Sequence, residues 1–105
     1  MLDLSLINND ELFEVKLIDG RILHLKRPTQ SLQSFLIILL DNNNLKDSEM
    51  LDSIFKAFTR ILNRNEEGIA FNAEDLAEEY GVEVAAIVIN DYFTYWNEKT
   101  KVDFQ

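Results

Sequence analysis

Apolar and polar residues alternate between residues 11 and 27, which is the pattern of strands with one buried face. The pair Asp19–Gly20 divides this segment, and glycine accepts the positive φ of a tight turn without steric cost. The pattern therefore predicts a β-hairpin over 11–27. Pro28 is expected to end the second strand, because proline has no N–H group for the ladder. The cluster Asn8–Asn9–Asp10 predicts a turn before the hairpin.

The register of this hairpin does not follow from the alternation alone. A two-residue Asp-Gly loop pairs Leu17 with Ile22. It also sends Leu23 and Leu25 to the face opposite the apolar residues of the first strand. A shift of the pairing by one residue unites the apolar residues of both strands on one face. We expect a bulge near the turn to produce this shift, at a position that the sequence leaves open.

After Pro28 the apolar residues recur at helical spacing. A stripe that begins at Leu32 predicts a helix over about 30–41, with Thr29 or Ser31 as its N-cap. A second stripe predicts a helix over about 47–64.

The ends of this second helix carry their own signals. Asp47 or Ser48 is expected to cap its start, and Asp41–Asn42–Asn43–Asn44 is expected to form the preceding loop. Arg60 and Arg64 fall in its predicted last turns, where positive charge complements the helix dipole.

The last third of the chain predicts two further helices, over about 73–80 and 82–99. Asn72 is expected to cap the first, with Asp75 reaching back as a variant of the capping box. The β-branched residues in 84–89 leave a strand as the alternative for that stretch. The fold class is therefore α+β: a single domain over 1–105, with an N-terminal β-hairpin followed by a bundle of about four α-helices.

Four aromatic residues, Tyr92, Phe93, Tyr95 and Trp96, crowd into one part of the last predicted helix. They span more than one helix face, and aromatic residues that are not buried are enriched at interfaces. Two interpretations stay open: these residues are core only, or some of them form part of an interface for self-association or for a partner protein. The candidate interface residues are Tyr92, Tyr95, Trp96, Leu36, Ile37 and Leu40.

The composition narrows the function classes. The chain has 105 residues, no cysteine and a single histidine, His24, so we predict no enzyme, no metal site and no cofactor. The net charge of −9 opposes contact with nucleic-acid phosphates. The longest apolar run, Phe35–Leu40, is far shorter than the roughly 20 residues of a membrane-spanning helix. Residues 1–10 lack the pattern of a signal peptide. The absence of cysteine suits a reducing cytoplasm.

The chain resembles a known family in several quoted segments. The hairpin with its "DG" turn leads through "LKRPT" into a helix. Further on, "ILNRNEEGIAFNAEDLAEEYGVEVAAIVINDYFTYW" ends in aromatic residues. Over residues 13–96, and most sharply over 62–80, this resembles the small tail assembly chaperones of long-tailed phages and prophages of low-GC Gram-positive bacteria.

The resemblance implies a mostly helical, non-enzymatic protein of the bacterial host cytoplasm that is absent from the mature virion. It would bind the tape measure protein, keep that protein soluble, and help the tail tube protein assemble around it. Members of the family often have a second, longer product made by ribosomal frameshifting. The alternative is another small acidic phage or bacterial protein-interaction module, such as a head–tail connector component or a regulatory adaptor.

Overall fold

The computed structural model describes residues 12–41 and 47–103. Within them, an antiparallel hairpin precedes four helices, which confirms the predicted α+β class. The elements are β1 (Phe13–Lys16), β2 (Ile22–Leu25), α1 (Gln30–Asp41), α2 (Asp47–Leu62), α3 (Ala73–Glu79) and α4 (Val82–Asp103). The predicted turn at 8–10 and loop at 42–44 lie outside the described residues, as do the side chains proposed to cap α2.

The hairpin adopts the shifted register. Val15 pairs with Leu23, and the Leu17 N–H donates to the Arg21 carbonyl at 2.8 Å. The loop therefore has three residues, and the two-residue pairing of Leu17 with Ile22 is wrong. Gly20 has a φ of +95° and donates its N–H to the Leu17 carbonyl at 2.9 Å. A left-handed glycine that ends a three-residue loop is the expected bulge, and it turns the apolar residues of both strands toward the core.

Helix α2 lies at the centre of the molecule. It contacts the other three helices and β2, and it packs most extensively against α4. The four helices and β2 add residues to one buried cluster, and Phe13 and Val15 of β1 pack against it. The buried apolar residues are Leu17, Leu23, Leu25, Leu32, Leu36, Leu39, Ala57, Phe58, Ile61, Leu62, Leu76, Tyr80, Ala85, Ile89, Tyr92 and Trp96.

The predicted end of α2 at residue 64 is wrong, because the helix ends at Leu62. Arg64 lies beyond it and donates two hydrogen bonds to the Arg27 carbonyl, at 2.7 and 3.0 Å, so only Arg60 sits in the last turn. Asn65 is buried, and its amide nitrogen donates to the carbonyls of Leu62 and Ile69, both at 2.7 Å. Its Oδ1 accepts from the Ile69 N–H at 3.0 Å. This side chain replaces the missing helical bonds and fixes the path of the following loop.

The ends of the other helices follow the cap signals with small changes. Thr29 caps α1 by accepting from the Leu32 N–H at 3.2 Å. Asn72 caps α3 by accepting from the Asp75 N–H at 2.9 Å. Asp75 does reach back, but it accepts from the Asn72 side-chain amide at 2.8 Å and not from the backbone N–H of a standard capping box.

The last two helices differ from their predicted bounds at the C-terminal ends. Helix α3 ends at Glu79, one residue early, and α4 continues past residue 99 to Asp103. The strand alternative over 84–89 is wrong: the stretch lies inside α4, where its buried side packs on the core.

Candidate functional site

The structure divides the six predicted interface residues. Tyr92, Trp96 and Leu36 are buried, with exposed fractions of 0%, 3% and 0%. The Tyr92 hydroxyl donates to the Lys26 carbonyl at 2.6 Å, and burial raises the pKa of this phenol. In this fold these three side chains have no surface to offer a partner, so their assignment to an interface is corrected to core.

The hairpin is the reason that α4 can bury so many aromatic residues. Phe13 of β1 packs against Tyr92 and Tyr95, with ring centroids 5.7 and 5.4 Å apart. The Arg27 guanidinium lies 5.1 Å from the centre of the Trp96 ring, in a cation–π contact. Tyr95 stays half-buried and contacts the Trp96 ring. Two faces of α4 are therefore covered, one by the helices and one by the hairpin.

The other candidates, Ile37 and Leu40, are exposed on α1. Ile38 lies beside them and is exposed to 63%. Leu36 points the opposite way, into the core, so the predicted set of six is not one surface. The part that remains on the surface is aliphatic and belongs to the C-terminal half of α1.

An apolar depression that the sequence did not indicate runs along α2. We call it the α2–α3 groove. Its first part has a volume of about 380 Å³ and is lined by Leu51, Asp52, Phe55, Lys56, Ala73, Glu74 and Ala77. Its second part, of about 430 Å³, shares Lys56 and Ala73 with the first and adds Phe35, Thr59 and Arg60. The lining residues of α2 span 51–60, which is about 14 Å of helix.

The groove has an apolar floor and oppositely charged ends. Asp52 and Glu74 lie at one end. At the other end, the Arg60 guanidinium donates to the Ser31 hydroxyl at 2.7 Å and lies 5.7 Å from the centre of the Phe35 ring. These contacts hold the cation in place at the rim. A ligand that fills the groove therefore meets a fixed electrostatic direction as well as an apolar surface.

The sequence does not predict the groove, because Leu51 and Phe55 belong to the apolar stripe that predicts the buried face of α2. The structure leaves Leu51 exposed to 44% and Phe55 half-buried, since no other described element covers this end of α2. Ala73 and Ala77 on α3 were the available signal: two small residues one helical turn apart lower the wall of the groove.

On the solvent face of the hairpin, His24 forms a cluster of ionisable groups with Glu14 and Glu67. The cluster brings together residues that are far apart in the described part of the chain. The His24 Nδ1 lies 2.7 Å from Glu67 Oε2, and the His24 Nε2 lies 3.2 Å from Glu14 Oε1. The hydrogen bond to Glu67 raises the pKa of His24 and lowers the pKa of Glu67. The His24 backbone N–H also donates to Glu67, at 3.0 Å. The cluster fastens the hairpin to the loop after α2.

Within residues 12–41 and 47–103, no three His, Asp or Glu side chains converge as metal ligands. No helix in the described part of the chain has the length and apolar character needed to cross a membrane.

No family model, no curated protein and no solved structure matches the chain.

Proposed function

We propose that the chain is a tail assembly chaperone of a long-tailed phage or prophage. It binds helical segments of the tape measure protein in the host cytoplasm, keeps that protein soluble while the tail tube protein assembles around it, and leaves before the virion is complete. The proposal rests on the sequence resemblance over 13–96 and on one structural observation. That observation is the α2–α3 groove, an exposed apolar channel between charged ends on a strongly acidic protein.

The shape of the groove suits an amphipathic helix as its ligand. Helical partners bind by laying an apolar face into an apolar groove. A channel of about 14 Å accommodates between two and three turns of helix. Leu51 and Phe55 supply the larger apolar contacts, and the two alanines of α3 allow the ligand backbone to come close.

The charges of the groove define the sequence of the preferred client segment. Asp52 and Glu74 favour Lys or Arg at one end of the client helix, and Arg60 favours Asp or Glu at the other. An apolar stripe at i, i+3, i+4 and i+7 would fill the floor. The proposal therefore predicts which residue types the bound helix carries. It also predicts which of its charged ends lies at each end of the groove.

The surface of α1 extends the same contact. Ile38 lies one turn after Phe35, on the same side of α1, and Ile37 and Leu40 continue the exposed aliphatic surface. The net charge of −9 keeps a protein with such a surface soluble, and it keeps the complex soluble when the client is rich in apolar residues.

The test is co-expression with the tape measure protein of the phage or prophage that encodes the chain. Ala77 is exposed and lines the groove, so Ala77→Glu places a charge in the wall that α3 forms. We expect this variant to lose most of the co-purified tape measure protein and to leave it insoluble. Ala86→Glu makes the same change at an exposed position of α4 outside the groove, and it should bind as the wild type does.

Thermal melting of both free variants separates loss of binding from loss of fold. Equal recovery of the tape measure protein with the two variants would place the client elsewhere on the chain. If the wild-type protein recovers none, the chaperone function itself is wrong.

A further inference from the structure

The loop that joins α2 to α3 is closed across its two ends by the side chain of Asn63. This residue directly follows α2, and its amide meets both backbone groups of Phe71, eight positions later. The Asn63 Nδ2 donates to the Phe71 carbonyl at 3.1 Å, and the Phe71 N–H donates to the Asn63 Oδ1 at 2.7 Å. Two hydrogen bonds in opposite directions restrict both the position and the orientation of Phe71 relative to the end of α2.

The ring of Phe71 is held by a second contact, which comes from the hairpin. The ring is half-buried and packs against the core, and the Arg21 guanidinium lies 5.8 Å from its centre. Asp19 orients this guanidinium. Its Oδ2 accepts from the Arg21 Nε at 2.7 Å, and its Oδ1 accepts from the Arg21 backbone N–H at 3.0 Å. The turn of the hairpin therefore places a cation against the ring.

The position of Phe71 determines how α3 begins. Phe71 precedes the N-cap residue Asn72, and Leu76 is the fourth residue of α3. Apolar residues at these two positions form a hydrophobic staple, which fixes the angle at which the chain enters a helix. Helix α3 has only seven residues, and a helix of that length is marginal by itself, so its place depends on such contacts.

The start of α3 is also one wall of the α2–α3 groove. Ala73, Glu74 and Ala77 line the groove from α3, and residues of α2 between 51 and 60 line it from the other side. The contacts of Phe71 therefore link the two walls. A gap of about 0.5–1 Å between packed surfaces already loses about a quarter to a half of their dispersion attraction. A small shift of α3 consequently weakens every apolar contact to a helix that lies between the walls.

We propose that Asn63 and Arg21 are positioning residues of the α2–α3 groove. They hold Phe71, and through Phe71 they set the first turn of α3 at the distance from α2 that a client helix requires. The inference rests on the function proposed above, which makes the groove the client site, and it adds two residues that do not line the groove. Asn63 fixes the backbone of Phe71, whereas the exposed Arg21 contacts its ring, so we expect the larger effect from Asn63.

Distances between two spin labels test the positioning without a client. The natural chain has no cysteine, so Glu49→Cys on α2 and Glu78→Cys on α3 provide two labels at exposed positions that do not line the groove. Pulsed electron spin resonance of the labelled protein should give one narrow distribution of distances. Asn63→Ala in this background should widen the distribution and shift its maximum, while Asn90→Ala, at an exposed position of α4, should leave it unchanged. An unchanged distribution for Asn63→Ala would overturn the proposal.

Co-purification of the tape measure protein tests what the positioning does for binding. We expect Asn63→Ala to recover about tenfold less of it than the wild type, and Arg21→Ala to recover an intermediate amount. Arg21→Lys keeps a cation near the Phe71 ring and should restore recovery. All variants are compared at a temperature at which thermal melting shows them folded. A purely structural role would then leave recovery unchanged, because the folded fraction is the same.

The outcomes separate this inference from the function on which it rests. If the wild type recovers the tape measure protein and Asn63→Ala recovers as much, the client function stands and the positioning role is wrong. If the wild type recovers none, the client function is wrong, and the label distances alone decide whether Asn63 positions α3. If Asn63→Ala does not fold, Asn63→Asp replaces it in both measurements, because it keeps the acceptor for the Phe71 N–H and loses the donor.

Discussion

The aromatic end of α4 and the N-terminal half of α2 show opposite outcomes of the same kind of pattern. Trp96 and Tyr92 lie in an excess of aromatic residues, and both are buried. Leu51 and Phe55 lie in a regular apolar stripe, and both line an exposed groove. The difference is the cover: the hairpin folds across α4, and no described element folds across this part of α2. Periodicity identifies which side of a helix is apolar, and distant elements decide whether that side is buried.

The largest effect that this comparison predicts is the loss of stability when a buried aromatic side chain of α4 is removed. Trp96→Ala should destabilise the protein by about 3–5 kcal/mol, because it removes a fully packed side chain and leaves a cavity. Leu51→Ala, in the uncovered stripe, should cost less than about 1 kcal/mol. Urea unfolding of the two variants measures both. Similar losses of stability would mean that the two regions are covered alike.

A change in the hairpin turn tests the cover itself. Gly20 has a φ of +95° with open space around it, so Gly20→Val strains the backbone and not the packing. We expect a loss of about 1–3 kcal/mol. Gly81 lies outside the left-handed region and serves as the matched position for the same substitution. An unchanged urea midpoint for Gly20→Val would show that the turn does not hold the hairpin over α4.

The wall of the groove depends on where α3 begins. Asn72→Ala removes the cap that accepts from the Asp75 N–H, and it should cost about 1 kcal/mol. Asn90→Ala makes the same change at an exposed position inside α4 and should be close to neutral. Coincident denaturation curves for Asn72→Ala and the wild type would rule out the cap as a source of stability.

The smallest effect concerns the contact between His24 and Glu67, which joins the hairpin to the loop after α2. The pKa of His24 is raised above 6.5, chiefly by its hydrogen bond to Glu67, so this contact stabilises the fold at pH values below 6.5. The contribution is lost as the pH rises through the raised pKa of His24. The pKa of Glu67 is lowered from 4.5, so its share is lost as the pH falls through that lowered value.

Melting temperatures between pH 5 and pH 8 measure the contribution of the His24–Glu67 contact to stability. The melting temperature of His24→Gln should lie furthest below that of the wild type at pH 5. At pH 8 the two melting temperatures should be nearly equal. The variant keeps the backbone bond to Glu67, so the difference reports the side chain alone. A constant difference across this range would exclude a charged His24 from the contact.

Much of the fold could be predicted because its signals are local. The glycine turn, the caps at Thr29 and Asn72, and the helical stripes each depend on residues a few positions apart. The site could not be predicted in the same way. Whether Phe55 lines a groove or Trp96 is buried depends on elements far away in the chain, and the role of Asn65 depends in part on its bridge to Leu25 of β2. The chaperone function and its client remain proposals that co-expression can test.

An isolated antiparallel bridge pairs Leu25 with Asn65 and joins the hairpin to the loop after α2, and both segments precede the aromatic residues of α4 in the chain. Synthesis proceeds from the N-terminus, so the hairpin and α2 are synthesised before the aromatic residues of α4. Asn65 precedes Trp96 by 31 residues. The aromatic residues of α4 are therefore the last part of the buried core to be synthesised, and the elements that cover them precede them in the chain.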